Sequence, residues 1–214
     1  MKTPTLAFLA AFLLTACGGL FKTQEVMPTV YELRAGPVPA ATARIPVTLE
    51  VARPRTRPGL DTDRIAVTLA DRRLDAYGSS RWSAMLPALV ESVLIDGLRS
   101  SGGWQAVVPA RSAFGGRYLL QPEIASFEAD YSGGTGAPTI HVHLIAELGQ
   151  SSERQLVAII EGQSSIRAAA DRQRDVTAAF QAACAEAVAQ LIGALNAAAA
   201  AAEQSAKSGP PAGS

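Results

Sequence analysis

Cysteine and histidine are almost missing from this chain of 214 residues, which has only Cys17 and Cys184, His141 and His143. Two cysteines cannot build a disulfide framework, and two histidines alone cannot fill the ligand positions of a zinc site. Net charge is missing as well: 19 Lys plus Arg stand against 19 Asp plus Glu. No overall field therefore draws the chain to nucleic acid. A Gly-rich loop closing on Gly-Lys-Ser/Thr is absent, which excludes the phosphate-binding signature of an ATPase. What remains is a chain with 48% hydrophobic and 18% charged residues, enough for one good-sized core and a single domain.

The amino terminus has the layout of an export signal. Lys2 supplies the positive end, residues 6–14 an apolar stretch, and Thr15-Ala16 small residues before a cut. That stretch is too short for a transmembrane helix, which needs roughly 20 apolar residues. Leu14-Thr15-Ala16-Cys17 resembles the lipobox of bacterial lipoproteins. The resemblance implies a diacylglycerol on the Cys17 sulfur, cleavage before it, and an acyl chain such as palmitate on the new amino terminus. No other cofactor is expected. Two or more acyl chains hold a protein stably on a bilayer, each buried methylene contributing about 0.8 kcal/mol. Cleavage removes Lys2, leaving a formal charge of −1. Gly18 stands where an aspartate would resemble an inner-membrane retention signal, so the outer membrane, on its periplasmic face, is the expected location.

The expected organisation is a signal peptide at 1–16, a lipidated tether at 17–29, a folded domain at 30–196 and an Ala-rich then disordered tail at 197–214. With Cys17 acylated, Cys184 has no partner, and its alanine neighbours read as a buried structural thiol. The tether, fully extended, reaches roughly 40 Å.

Within the domain, period-2 alternation marks strands at 30–34, 45–51 and 65–69, the last turning at Asp71-Arg72 into a hairpin partner at 74–77. Arg53, Arg55 and Arg57, interleaved with Pro54 and Pro58, read as an extended linker that is either solvated or set against lipid headgroups. Ser83 is placed to cap a helix starting near Met85, Pro87 suits its first turn, and Gly102-Gly103 ends it. A short edge-like strand follows at 104–108. Residues 118–131 form a long strand whose alternation slips near Pro122, predicting a bulge or an edge position there. Glycines at 133–136 turn the chain into Ile140, Val142, Leu144, Ala146 and Leu148 on one face, with His141, His143 and Glu147 on the other. A further strand follows at 155–166, and a helix at about 171–196 closes the domain. The fold class is α+β: a mostly antiparallel sheet with two main helices packed on it.

Three motifs invite chemistry and carry little. Asp61 and Asp63 have the spacing of a calcium loop but lack its other ligands. The glycines at 133–136 precede a strand rather than a helix. His141 and His143 share a face with no third ligand in sight.

The lipobox, Tyr31-Glu32-Leu33, the Pro-Gly-Leu-Asp-Thr-Asp-Arg-Ile run at 58–65, and Tyr77 with Arg81-Trp82 ahead of a proline-started helix resemble the ABC-type transport auxiliary lipoproteins. That group includes the PqiC-like periplasmic lipoproteins. The resemblance implies an accessory role beside a lipid-transport machine made of an inner-membrane ABC permease and ATPase and an MCE-domain carrier protein. The domain would dock on the MCE assembly, as a homo-oligomeric ring of copies, with the membrane bound through the anchor. Arg81 and Trp82 are the candidate partner-binding residues. The reading that the residue types favour makes Trp82 a core plug and pairs Arg81 with Asp61 or Asp63. An enzyme would need a converged nucleophile, base or metal, and no such set stands out. The rival reading is a structural envelope lipoprotein that assists outer-membrane assembly without a transport role.

Overall fold

The computed structural model describes residues 27–208 apart from Thr135; the signal peptide, Cys17 and most of the tether lie outside the described residues. Nine strands form one sheet built around β7 (Tyr118–Asp130). On one side β7 pairs antiparallel along its length with β8 (Thr139–Gln150), and β8 with β9 (Gln155–Arg167). On its other side three short strands run parallel to it in succession: β2 (Ile45–Val51), β3 (Arg55–Thr56) and β4 (Arg64–Thr68). The sheet therefore forks. One arm continues from β2 to β6 (Trp104–Pro109), the other from β4 through β5 (Leu74–Trp82) to β1 (Thr29–Tyr31). Most paired residues lie in antiparallel ladders, as expected, while the arms add parallel pairs.

The fork explains two departures from the sequence reading. Arg55 and Thr56 are a short strand rather than linker, because they fill the gap between the arms beside Glu123 and Ile124. Pro122 sits inside the central strand without a bulge of its own; the register shift falls between Ile124 and Ser126. Leu120 O accepts from Ala52 N–H, so by alternation the Pro122 nitrogen faces the same side. There it meets the interval between β2 and β3, where no ladder partner waits for a donor.

Alternation along β8 sets the core. Ile140, Val142, Leu144, Ala146 and Leu148 are buried, while His141, His143 and Glu147 lie on the open outer face. Two helices cover the inner face: α1 (Leu86–Ser101) and α2 (Gln173–Ser208). α1 starts without a side-chain cap. Ser83 is instead held in the sheet, its N–H donating to Tyr31 O, and Leu86 N–H donates to Thr62 O. Pro at the helix start needs no acceptor, so one orphan donor never arises. Gly102, at φ 67°, takes the left-handed position that ends α1.

α2 runs past Asn196, where the helix was expected to fray. Alanine is the strongest helix former, and the run does pack: Ala199 is buried, and beyond it Glu203 accepts from Tyr118 Oη at 2.8 Å and pairs with Arg117 at 3.3 Å. By length and apolarity α2 could cross a bilayer. Its stripe of Val176, Phe180, Ala183, Cys184, Ala187, Val188, Leu191 and Leu195 is instead fully buried in the domain.

The helix crosses the sheet obliquely. Near its middle it touches β9, where Gln190 Oε1 accepts from Gln163 N–H and Glu186 accepts from Ser164 Oγ. Farther on, Asn196 accepts from Trp104 Nε1 at 2.9 Å, on the β6 arm. Contact at β9 is closest at Gly162, where an added Cβ would stand 1.9 Å from Ala187 O. Gly162→Ala is expected to cost about 3 kcal/mol or more, since backbone must move. Gly133→Ala, with open space around it, should stay within about 0.5 kcal/mol of wild type. Urea unfolding of both variants checks the pair.

Candidate partner-binding surface

Trp82 ends β5 and is 2% exposed. Its ring meets Phe127 edge-on at 5.9 Å and Phe180 edge-on at 5.3 Å, and the two phenyl rings stack at 5.4 Å. This aromatic trio ties β5, β7 and α2 together. Trp82 is thus a core side chain that no partner can touch without unfolding. Its Nε1–H is buried with no acceptor among the described residues, so part of its packing gain is lost to an unmade hydrogen bond.

Arg81 points the other way, as strand alternation requires. It stays half exposed and its Nη1 lies 3.7 Å from Asp63 Oδ2. Asp61 lines a neighbouring cleft with Arg53, Arg55 and Pro87. The two sequence candidates therefore separate: Arg81 remains on the surface, and Trp82 does not. The other linker arginines lie on the outer sheet face, Arg55 3.8 Å from Glu147 and Arg57 3.6 Å from Glu128.

Sequence reasoning missed Glu91. It is buried on α1 and pairs with Arg111 from the loop after β6. Arg53, Arg99, Asp96 and Ile95 are among the residues that line the groove around that pair, about 620 Å³ in volume. A charged residue between Val90 and Val93 on the helix's apolar stripe was the available signal.

On the outer face, His141 Nδ1 is 2.8 Å from Ser165 Oγ and its Nε2 is 3.6 Å from Asp130 Oδ2. Those three residue types can make a hydrolytic triad. Here the aspartate is beyond hydrogen-bond range of the ring, and its oxygens already accept from Ser132 N–H and Oγ. His143 pairs with Glu161 at 3.1 Å. Among the described residues, no group of three or more His, Cys, Asp or Glu is arranged to hold a metal.

Against this geometry stand the comparisons with known proteins. The description "ABC-type transport auxiliary lipoprotein component" matches residues 31–204. The chain belongs to that family. Among solved structures, protein XCC0632 from Xanthomonas campestris superposes with a TM-score of 0.76 at 24% identity, over 83% of this chain and 99% of that one. An uncharacterised protein superposes with a TM-score of 0.53 at 17% identity, over 84% and 99% respectively. These two likenesses show a shared fold. No curated protein matches the chain. As a transport auxiliary lipoprotein, the protein is a component that serves an ABC-type system rather than a member of a known enzyme family.

Cys184, in this auxiliary component, is a fully buried thiol whose pKa burial pushes up to about 12. Tyr131 Oη donates to Asp171 Oδ1 at 2.5 Å and lies 2.7 Å from Tyr77 Oη. Burial first, then the bond to Asp171, raises the Tyr131 phenol far above its ordinary range. Both groups keep their protons in the folded state at a pH where the unfolded chain has lost them. Their contribution is fully present below the unfolded values, about 8.5 and 10, and is lost as pH rises through the folded ones.

Trp82→Ala should cost about 3–5 kcal/mol, and Trp82→Phe far less, because it keeps a ring and removes the orphaned donor. Arg81→Ala should cost no more than about 1 kcal/mol; urea unfolding ranks all three. Iodoacetamide should label Cys184 only after denaturation. Stability should fall from about pH 9 upward, with a shallower slope in Cys184→Ala, as read by denaturation at stepped pH.

Proposed function

We propose that this auxiliary lipoprotein is held at the periplasmic face of the outer membrane by acyl chains on Cys17. From there it docks an MCE-domain lipid carrier served by an inner-membrane ABC permease and ATPase. The observation that carries the reading is the family match across residues 31–204, joined to Leu14-Thr15-Ala16-Cys17 just upstream. The domain offers no Walker motif, so energy must come from a separate ATPase. Its role is recognition and positioning. Copies arranged as a ring would present the same surface several times to one carrier, multiplying weak contacts through effective concentration.

Surface features support docking better than catalysis. Among the described residues no helix lies over the outer face of β7–β9, and Arg81 is half exposed beside Asp63, where a partner can reach it. Fatty chains restrict the domain to a thin layer beside the bilayer.

Replacement of Cys17 by alanine should release the chain from the membrane fraction into the soluble periplasm. The same variant should lose co-purification with the MCE-domain and permease subunits that the wild-type chain retains. An unmodified Cys17 thiol in the intact mass of the native protein would overturn the anchor. Wild-type material that brings down no transport subunit, but a stable outer-membrane assembly protein, would overturn the transport role.

A further inference from the structure

We propose that the groove between α1 and the loop after β6 is a binding site for a singly charged phosphodiester, held by Arg53, Arg99 and Arg111. The inference goes beyond the docking role and does not rest on it. One wall is a face of α1: Ala88, Ser92, Ile95 and Arg99 recur every three or four residues, the spacing that lines side chains up along a helix. The other wall is Arg53, from the chain that crosses the fork between β2 and β3, together with Pro109 and Arg111. A volume of about 620 Å³ lies within the range of small-ligand sites.

Charge in the groove does not cancel. Three guanidiniums meet two carboxylates, those of Glu91 and Asp96. Glu91 is taken by Arg111, and Asp96 lies 4.0 Å from Arg99 Nη1. The exposed Arg53 guanidinium has neither a hydrogen bond nor an ion pair among the described residues, Asp61 of the adjoining cleft included. One positive charge is therefore left over in a concave, partly apolar site, where an anion feels it more strongly than on open surface.

The arginines are in place before any ligand arrives. Arg99 donates through Nε and Nη2 to Val107 O. Arg111 is fixed by Glu91, whose side chain is 5% exposed against 70% for the arginine, so the pair turns its cation outward and its anion inward. Ala52 N–H donates to Leu120 O and Pro54 is buried, which pins the main chain on both sides of Arg53. Groups already held lose little freedom on binding.

Donor count and charge set the ligand class. Forked donors from several arginines exceed what the two oxygens of a carboxylate accept and match the oxygens of a phosphate. A surplus of one positive charge is neutralised by a diester, whereas a monoester brings nearly two negative charges. Ala88, Ile95 and Pro109 give apolar surface to the carbon groups that a diester bears on either side. Two sources offer this chemistry: the headgroup of a phospholipid and a soluble glycerophosphodiester.

Isothermal titration of the full-length, micelle-solubilised chain, with protein-free micelles subtracted, tests the site. Glycerophosphoglycerol probes the soluble source and dihexanoylphosphatidylglycerol the lipid source. Tighter binding of the acylated probe assigns the groove to phospholipid, equal binding to soluble diesters, and either upholds the proposal. Arg53→Ala should weaken binding about tenfold, and Arg53→Lys by less, because it keeps the charge and loses the fork. Asp96→Asn, which removes a competing exposed carboxylate, should tighten it about twofold. Neither exposed site should move the melting temperature. Arg154→Ala, which removes an exposed arginine outside the groove, should leave affinity unchanged. The proposal is overturned if neither diester binds, if inorganic phosphate binds as tightly as they do, if Arg53→Ala equals wild type, if Asp96→Asn loosens binding, or if Arg154→Ala weakens it as much as Arg53→Ala. A polyglutamate peptide that binds more tightly than both diesters would also overturn it and assign the groove to an acidic protein segment.

Discussion

The close seating of α2 on Gly162 is the constraint on which the rest of the molecule depends. A helix backbone can approach a strand that closely only where the strand residue has no side chain, and here Gly162 faces the main chain of Ala187 and the Cβ of Leu191. Close approach brings Phe180 into the aromatic trio with Trp82 and Phe127. It also fixes the crossing direction, so that Asn196 meets Trp104 and Glu203 meets Tyr118 at the opposite arm. Cys184 is then a small core residue whose thiol matters for its size.

The same crossing accounts for what the helix leaves bare. A straight rod laid obliquely across a twisted sheet cannot cover both ends of an edge strand. α2 covers the end of β9 near Gly162 and departs from the end near Leu156. The uncovered apolar edge is thus a consequence of the packing that stabilises the core. The segment after β1 is drawn over the helices as well: Gln181 exchanges hydrogen bonds with both main-chain groups of Arg34, and an added Cβ at Gly36 would stand 2.6 Å from Ala185 Cβ. The chain leading from the amino terminus is thereby tied to α2.

The proposed docking role would use such a rigid platform. It holds surfaces at fixed positions, and buried aromatic and alanine-rich packing supplies that rigidity. Side chains left outside the platform, among them Arg81, Arg55 and Arg57, carry the electrostatics a partner would meet. The arginine ends of their ion pairs are exposed, which weakens the pairs and leaves them open to exchange on binding.

Local patterning in the sequence was enough to place most elements and to sort the two faces of β8, because alternation of side chains reports burial directly. It was enough, too, to connect Leu14-Thr15-Ala16-Cys17 and the 58–108 region with the transport auxiliary lipoproteins. Tertiary structure alone decided the rest. Whether Trp82 lay inside or outside depended on Phe127 and Phe180, 45 and 98 residues away. The alanine run continued as helix because Tyr118 and Arg117 waited for Glu203, and Arg55-Thr56 became a strand because the fork left a gap of the right width. These outcomes rest on contacts between distant segments, and such contacts leave no period in the sequence for local reading to detect.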